Sequence, residues 1–83
     1  MSFFVYLLIT KQKNKLISYV GYTSNLQKRL KLHNTSKGAK FTKGRKWKLA
    51  YLKRYKTKSL AIREEIKLKK NYKLRETIKK NFN

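Results

Sequence analysis

The sequence predicts a small mixed fold of the α/β (α+β) type, in which a three-stranded antiparallel sheet is flanked by helices. Two short segments rich in aromatic and β-branched residues, 3–10 and 16–22, lie on either side of a polar turn, which is the pattern of a β-hairpin. A third such segment, 47–55, alternates apolar and basic residues between two segments of helical pattern. The order is therefore β-β-α-β-α-α, and the 83 residues suit a single domain, 1–83.

The first half of the chain contains the predicted hairpin and the first helix. Residues 3–10 form an apolar run typical of a buried central strand. The polar residues 11–15 predict a connecting loop of about five residues before the second strand, 16–22. Residues 24–27 read Ser-Asn-Leu-Gln, a capping-box pattern that starts a helix. We expect this helix to end near Asn34.

The second half of the chain contains a basic loop, the third strand and two helices. The predicted segments, in order, are a polar loop at 35–46, a half-exposed strand at 47–55, a helix at 60–70 capped by Thr57 or Ser59, and a helix at 73–80. Asn71 separates the two helices.

The charge of the chain points to a polyanionic partner. There are 24 Lys and Arg residues against 3 Asp and Glu, which makes the formal net charge +21. Nucleic acid is the first candidate for such a domain, and a structural protein associated with the ribosome is an alternative. Most of the cations are lysines, which suit phosphate contacts better than base reading, so weak sequence specificity is expected.

The composition also limits the other partners. No apolar run reaches the roughly 18 residues that a membrane helix needs, and the chain has no cysteine. We therefore expect a cytoplasmic protein with no membrane partner and no disulfide partner, and the oligomeric state stays open.

The segment from Ser18 to His33 carries the first candidate site. It reads as a strand, a glycine turn and a helix with Arg29 and His33 four residues apart, so that both lie on one helix face beside Tyr19. A permanent cation and a titratable imidazole on one face suit the handling of phosphate. Gly21 is expected to permit either the turn or a close approach of the backbone.

These residues resemble the GIY-YIG nuclease superfamily, in particular its short stand-alone YhbQ-like group. The Gly-Ile-Tyr motif of the family corresponds to Phe4-Val5-Tyr6, and the Tyr-Ile-Gly motif corresponds to Tyr19-Val20-Gly21. Arg29 matches the helical arginine of the family, and His33 matches the residue one turn later. The chain departs from the first motif at Phe4, where the family has glycine.

The resemblance continues along the chain and covers roughly residues 3–72. Residues 38–44 resemble the glycine-flanked loop of the stand-alone group, and Glu65 matches the metal-binding glutamate of the family. The resemblance implies hydrolysis of DNA phosphodiester bonds with a divalent ion, Mg²⁺ or Mn²⁺. A single ion is expected, because Glu64, Glu65 and Glu76 are the only acidic side chains in the sequence.

The resemblance also implies a role for each catalytic candidate. Tyr6 would act as a general base or orient the water, with a pKa lowered by Arg29 and the metal, and His33 would accept its proton or polarise it. Arg29 would neutralise the scissile phosphate, Tyr19 would hydrogen-bond a phosphate oxygen or the water, and Glu65 would bind the metal. The residue pattern alone favours a core aromatic for both tyrosines, and Arg29 could equally be a plain phosphate contact and His33 a helix-face residue. For Glu65 the helix pattern alone favours a surface ion pair with Lys69.

Basic residues outside these motifs are candidates for contacts with the nucleic acid. They are Lys37, Lys40, Lys43, Arg45 and Lys46 in the loop and Lys69 in the second helix. Phe41 and Trp47 could stack on unpaired bases, although core packing is favoured for Trp47.

The predicted function is a non-specific or structure-selective DNA endonuclease, with a role in repair or recombination. The alternatives are a non-catalytic module that binds DNA or RNA on the same fold, and a ribosome-associated protein. Cleavage would depend on Glu65 and a divalent ion, whereas binding alone would depend only on salt.

Overall fold

A computed structural model describes residues 2–35 and 44–82, and it confirms the predicted order of elements. The elements are β1 (Phe3–Gln12), β2 (Lys15–Thr23), α1 (Leu26–Asn34), β3 (Lys48–Tyr55), α2 (Lys58–Lys70) and α3 (Tyr72–Lys80). Within these described ranges, none of the helices is long and apolar enough to cross a bilayer.

The three strands form one antiparallel sheet in the order β2-β1-β3, with β1 in the centre. Residues 5–10 of β1 are buried in an unbroken run, because the central strand is covered on both faces. The predicted loop of about five residues is wrong. Gln12 pairs directly with Lys15, and the two residues between them, Lys13 and Asn14, both have positive φ angles, 49° and 67°. A tight two-residue turn of this kind matches the twist of the two strands.

The side chains of β1 alternate between two apolar clusters, one on each face of the sheet. Val5, Leu7 and Ile9 pack on one face against α2 and α3, whereas Tyr6 and Leu8 pack on the other face against α1. The first cluster includes Ala61, Leu68 and Ile78, and the second includes Trp47, Tyr19, Leu26 and Leu30.

A β-bulge in β3 changes the predicted third strand. Leu7 pairs with Tyr51 but Leu8 pairs with Leu49, so Ala50 has no opposite residue. The regular alternation expected across 47–55 is therefore interrupted, and Leu49 and Tyr51 join different clusters. Trp47 precedes the strand rather than starting it, and its side chain is buried, so the favoured expectation of core packing is confirmed.

Asparagine and threonine side chains begin the helices. Asn25, and not Ser24, caps α1, because its Oδ1 accepts the backbone N–H of Lys28 at 3.1 Å. Thr57 is the cap of α2, which begins at Lys58 rather than at residue 60. Asn71 ends α2 and also caps α3, which starts at Tyr72.

Candidate active site

Tyr6 lies in the middle of the sheet and is 1% exposed. Its partner on β2 is Gly21, and a Cβ atom at that position would come within 2.6 Å of the Tyr6 Cζ. Gly21 is therefore not a turn residue. Its missing side chain instead lets the phenol ring of Tyr6 approach the backbone closely, which was the other expected role of this glycine.

The phenol of Tyr6 forms a buried hydrogen bond with His33. Its oxygen lies 3.0 Å from the Nε2 of His33, and the imidazole is 0% exposed. The ring of Tyr19 meets the same imidazole edge-to-face, at a centroid distance of 5.1 Å, and Trp47 lies behind Tyr19 at 6.3 Å. These aromatic contacts hold the imidazole in one orientation.

Arg29 lies one helical turn before His33, and its guanidinium acts on the phenols of both Tyr6 and Tyr19. Where the phenol donates its single proton to His33, Nε2 is the unprotonated ring nitrogen. The site is thus a hydrogen-bonded pair of Tyr6 and His33, with the cation of Arg29 next to it. All four of the expected residues on β1, β2 and α1 are thus brought together.

Burial sets the protonation states of Tyr6 and His33. It raises the pKa of Tyr6 and outweighs the lowering effect of Arg29. Arg29 lowers the pKa of Tyr6 as expected of a nearby cation, but desolvation of the phenolate is the larger effect and sets the net direction. Burial also lowers the pKa of His33, and the positive charge of Arg29 adds to this. The resting site has a neutral phenol and a neutral imidazole beside a charged guanidinium.

Glu65 lies at the border of this site on α2. Burial is the main cause of the raised pKa of Tyr6, but the negative charge of Glu65 also contributes, so the carboxylate lies within electrostatic range of the phenol. The side chain of Glu65 is 13% exposed and pairs with Lys69 at 3.5 Å. The ion pair that the helix pattern allowed is therefore present.

The site fits a single hard cation better than a metal cluster. Residues 2–35 and 44–82 contain no group of three or more His, Cys, Asp or Glu side chains that could hold a metal. Mg²⁺ is commonly held by one or two carboxylates, with waters and substrate phosphates completing its shell. The single carboxylate of Glu65, within electrostatic range of the phenol of Tyr6, is compatible with that arrangement. The other two glutamates pair with Lys67 and Lys79.

The structure describes only some of the basic residues predicted in the loop. Lys37, Lys40, Lys43 and Phe41 lie outside the described residues. Lys46 is exposed, and its carbonyl accepts a hydrogen bond from Thr10 at 2.6 Å, which fixes the backbone at Lys46 against β1. A groove beside the start of α1 leads to Arg29, and it is lined by Thr23, Ser24, Asn25, Lys28, Arg29 and Leu32.

Asn34 is a positioning residue that the sequence indicated only as a helix end. Its side-chain amide donates to the carbonyl of Trp47 at 3.2 Å and accepts the N–H of Trp47 at 2.6 Å. This pair of bonds joins the end of α1 to the start of β3 and holds Trp47 against Tyr19. An asparagine at a helix end has many uses, so the sequence carried no signal for this one.

Comparisons with known proteins agree with this architecture. A family model described as the GIY-YIG catalytic domain matches residues 2–80. A UPF0213 protein of Oceanobacillus iheyensis is 42% identical over 67 residues, which are 80% of this chain and 74% of that protein. The corresponding protein of Bacillus velezensis is 44% identical over 69 residues, 82% of this chain and 67% of the relative.

A third relative is covered less completely. The UPF0213 protein of Bacillus licheniformis is 49% identical over 53 residues, which are 63% of this chain and 55% of that protein. No solved structure matches the chain.

Proposed function

Because the chain belongs to the GIY-YIG catalytic domain family, which is a family of nucleases, we propose that it is a divalent-metal-dependent endonuclease that hydrolyses DNA phosphodiester bonds. The observation that carries this proposal is the buried hydrogen bond between Tyr6 and His33, with the charges of Arg29 and Glu65 acting on the same phenol. A plain binding surface has no need for a buried phenol that is bonded to a neutral imidazole.

Tyr6 and His33 form a path for the proton of the attacking water. The water oxygen forms a bond to phosphorus while the bond to the leaving oxygen breaks, and the water proton moves to the phenol oxygen of Tyr6. The phenol proton moves at the same time to Nε2 of His33, so no phenolate accumulates. Because burial and Arg29 lower the pKa of His33, the imidazolium then returns its proton to the phenol oxygen of Tyr6. The phenol releases its other proton to the leaving oxygen, and both side chains are neutral again.

Arg29 remains charged throughout and can neutralise the scissile phosphate. Its Nε is buried and has no hydrogen-bond partner within the described part of the chain. Charge-assisted hydrogen bonds from guanidinium to phosphate are short and strong. A phosphate oxygen that enters along the groove at the start of α1 would satisfy this donor. The phenol of Tyr19, which also interacts electrostatically with Arg29, would donate to the phosphate or the water.

Glu65 would hold the divalent ion, Mg²⁺ or Mn²⁺. When bound, such an ion stabilises negative charge on the phosphoryl oxygens and the leaving oxygen. Selectivity for DNA sequence is expected to be weak, because the net charge of +21 comes mostly from lysines, which contact phosphates as point charges. The proposed substrates are therefore unspecific or branched DNA, as in repair or recombination.

The test is a nicking assay on supercoiled plasmid and on branched DNA with Mg²⁺ or Mn²⁺. Wild type is compared with Glu65→Gln and with the matched control Glu64→Gln, which changes the neighbouring ion pair to Lys67. We expect metal-dependent products from wild type and the control, and none from Glu65→Gln. If wild type and both variants leave the DNA intact and shift it equally in a gel, the protein is a nucleic-acid-binding module and not a nuclease. Cleavage of RNA alone would redirect the proposal to RNA.

A further inference from the structure

Lys69 forms an ion pair with Glu65, the proposed metal ligand. Its Nζ is 3.5 Å from Glu65 Oε1, one turn further along α2. The two side chains differ in exposure, at 54% for Lys69 and 13% for Glu65. The lysine can therefore leave the pair at little cost, since most of its side chain is already in water, whereas the carboxylate stays in place.

Building on the proposed function, we propose that Lys69 is a displaceable counter-ion that keeps Glu65 from binding free divalent ions until nucleic acid arrives. The ammonium group neutralises the carboxylate charge that would attract the ion. Its distance exceeds the roughly 2.7–2.9 Å of a strong charge-assisted hydrogen bond, so the pair is held loosely. Lys69 is thus a residue that regulates metal binding rather than a catalytic residue.

The positive charge of the whole molecule adds to the effect of Lys69 on metal binding. The formal net charge is +21, and each of the three glutamates already pairs with a lysine. A divalent ion that approaches the free protein therefore meets repulsion and no unpaired carboxylate side chain. The protein alone is expected to bind such ions poorly.

Nucleic acid reverses both effects. A phosphate near Arg29 adds negative charge and oxygen ligands, and it offers Lys69 an alternative partner. The ion then finds a released carboxylate together with phosphate oxygens. Nucleic acid and metal must therefore raise each other's affinity by the same factor, since coupling between two bound ligands is reciprocal.

The test measures Mn²⁺ binding from the electron paramagnetic resonance signal of the free ion, with and without a short phosphorothioate DNA. Wild type is compared with Lys69→Gln and with the control Lys67→Gln, whose lysine pairs with Glu64 at 3.3 Å on the same helix. Without DNA, we expect Lys69→Gln to bind Mn²⁺ about three- to tenfold more tightly, the effect of removing one charge a few ångströms from the ion. Lys67→Gln should match wild type, and the gap should close when DNA is present.

A further variant separates this inference from the proposed function. If Glu65→Gln loses Mn²⁺ binding but Lys69→Gln binds the ion no better than Lys67→Gln, then the metal site stands and the counter-ion role is overturned. If Glu65→Gln binds Mn²⁺ as wild type does when DNA is present, the metal is not at Glu65, and the proposed function loses its metal ligand as well. Circular dichroism of each variant checks that α2 is intact.

Discussion

Replacing Gly21 by alanine should damage the site and the fold through one contact. The new Cβ would come within 2.6 Å of the Tyr6 Cζ and still closer to the phenol oxygen. The ring cannot move aside freely, because Tyr6 is 1% exposed and its oxygen is hydrogen-bonded to His33. The substitution therefore forces the phenol away from the imidazole.

The size of the effect follows from the cost of overpacking a core. Insertion of one carbon into a well-packed interior costs about 1–3 kcal/mol of unfolding free energy. For a domain of this length, each kcal/mol lowers the melting temperature by about 4–8 °C. In a Tyr6→Leu background the clash is absent, so Gly21→Ala should be neutral or stabilising by up to about 1 kcal/mol, because alanine loses less backbone entropy than glycine.

A double-mutant cycle with urea unfolding measures this coupling. Gly44→Ala is the control. Among the described residues no atom lies within 4 Å of its added Cβ, but its φ is +77°, so it should cost about 1 kcal/mol in both backgrounds. The steric reasoning is refuted if Gly21→Ala costs the same free energy in the Tyr6→Leu background as in wild type.

Three further predictions concern the supports of the site. The pKa of His33 in the folded protein is lowered by burial and, to a smaller extent, by Arg29. As the pH falls, this histidine is therefore protonated in the unfolded chain before it is protonated in the folded one. The free energy of unfolding should decrease as pH drops below about 6.5. Urea titrations near neutral and mildly acidic pH should show this slope in wild type and less of it in His33→Gln. Asn34→Ala leaves the backbone of Trp47 without two hydrogen bonds and should cost about 1–3 kcal/mol in thermal unfolding. Asn71→Ala removes the bond to the N–H of Leu74 at 3.0 Å and should cost about 1 kcal/mol by the same assay, so unchanged melting would contradict the capping role.

Hydrophobic periodicity was enough to predict the three strands and three helices, because burial of one face leaves a pattern in the chain itself. The turn and the first cap were less predictable. The tight Lys13-Asn14 turn lacks glycine, and Ser24 and Asn25 are both good capping residues. Which neighbour caps the helix depends on the backbone angle at which β2 delivers the chain, and that angle is a property of the folded sheet.

The sequence by itself determined the family, the order of the elements and the identity of the candidate residues, since motif spacing and charge are properties of the linear chain. Only the tertiary structure decided how those residues act on one another. It packed the ring of Tyr6 against Gly21 and hydrogen-bonded its phenol to His33, with the charge of Arg29 acting on the same phenol. It also paired Lys69 with Glu65. It also decided the direction of the tyrosine pKa, because desolvation depends on the packing around the phenol from several elements at once. The burial of the Tyr6 phenol cannot be predicted from its neighbours in the sequence.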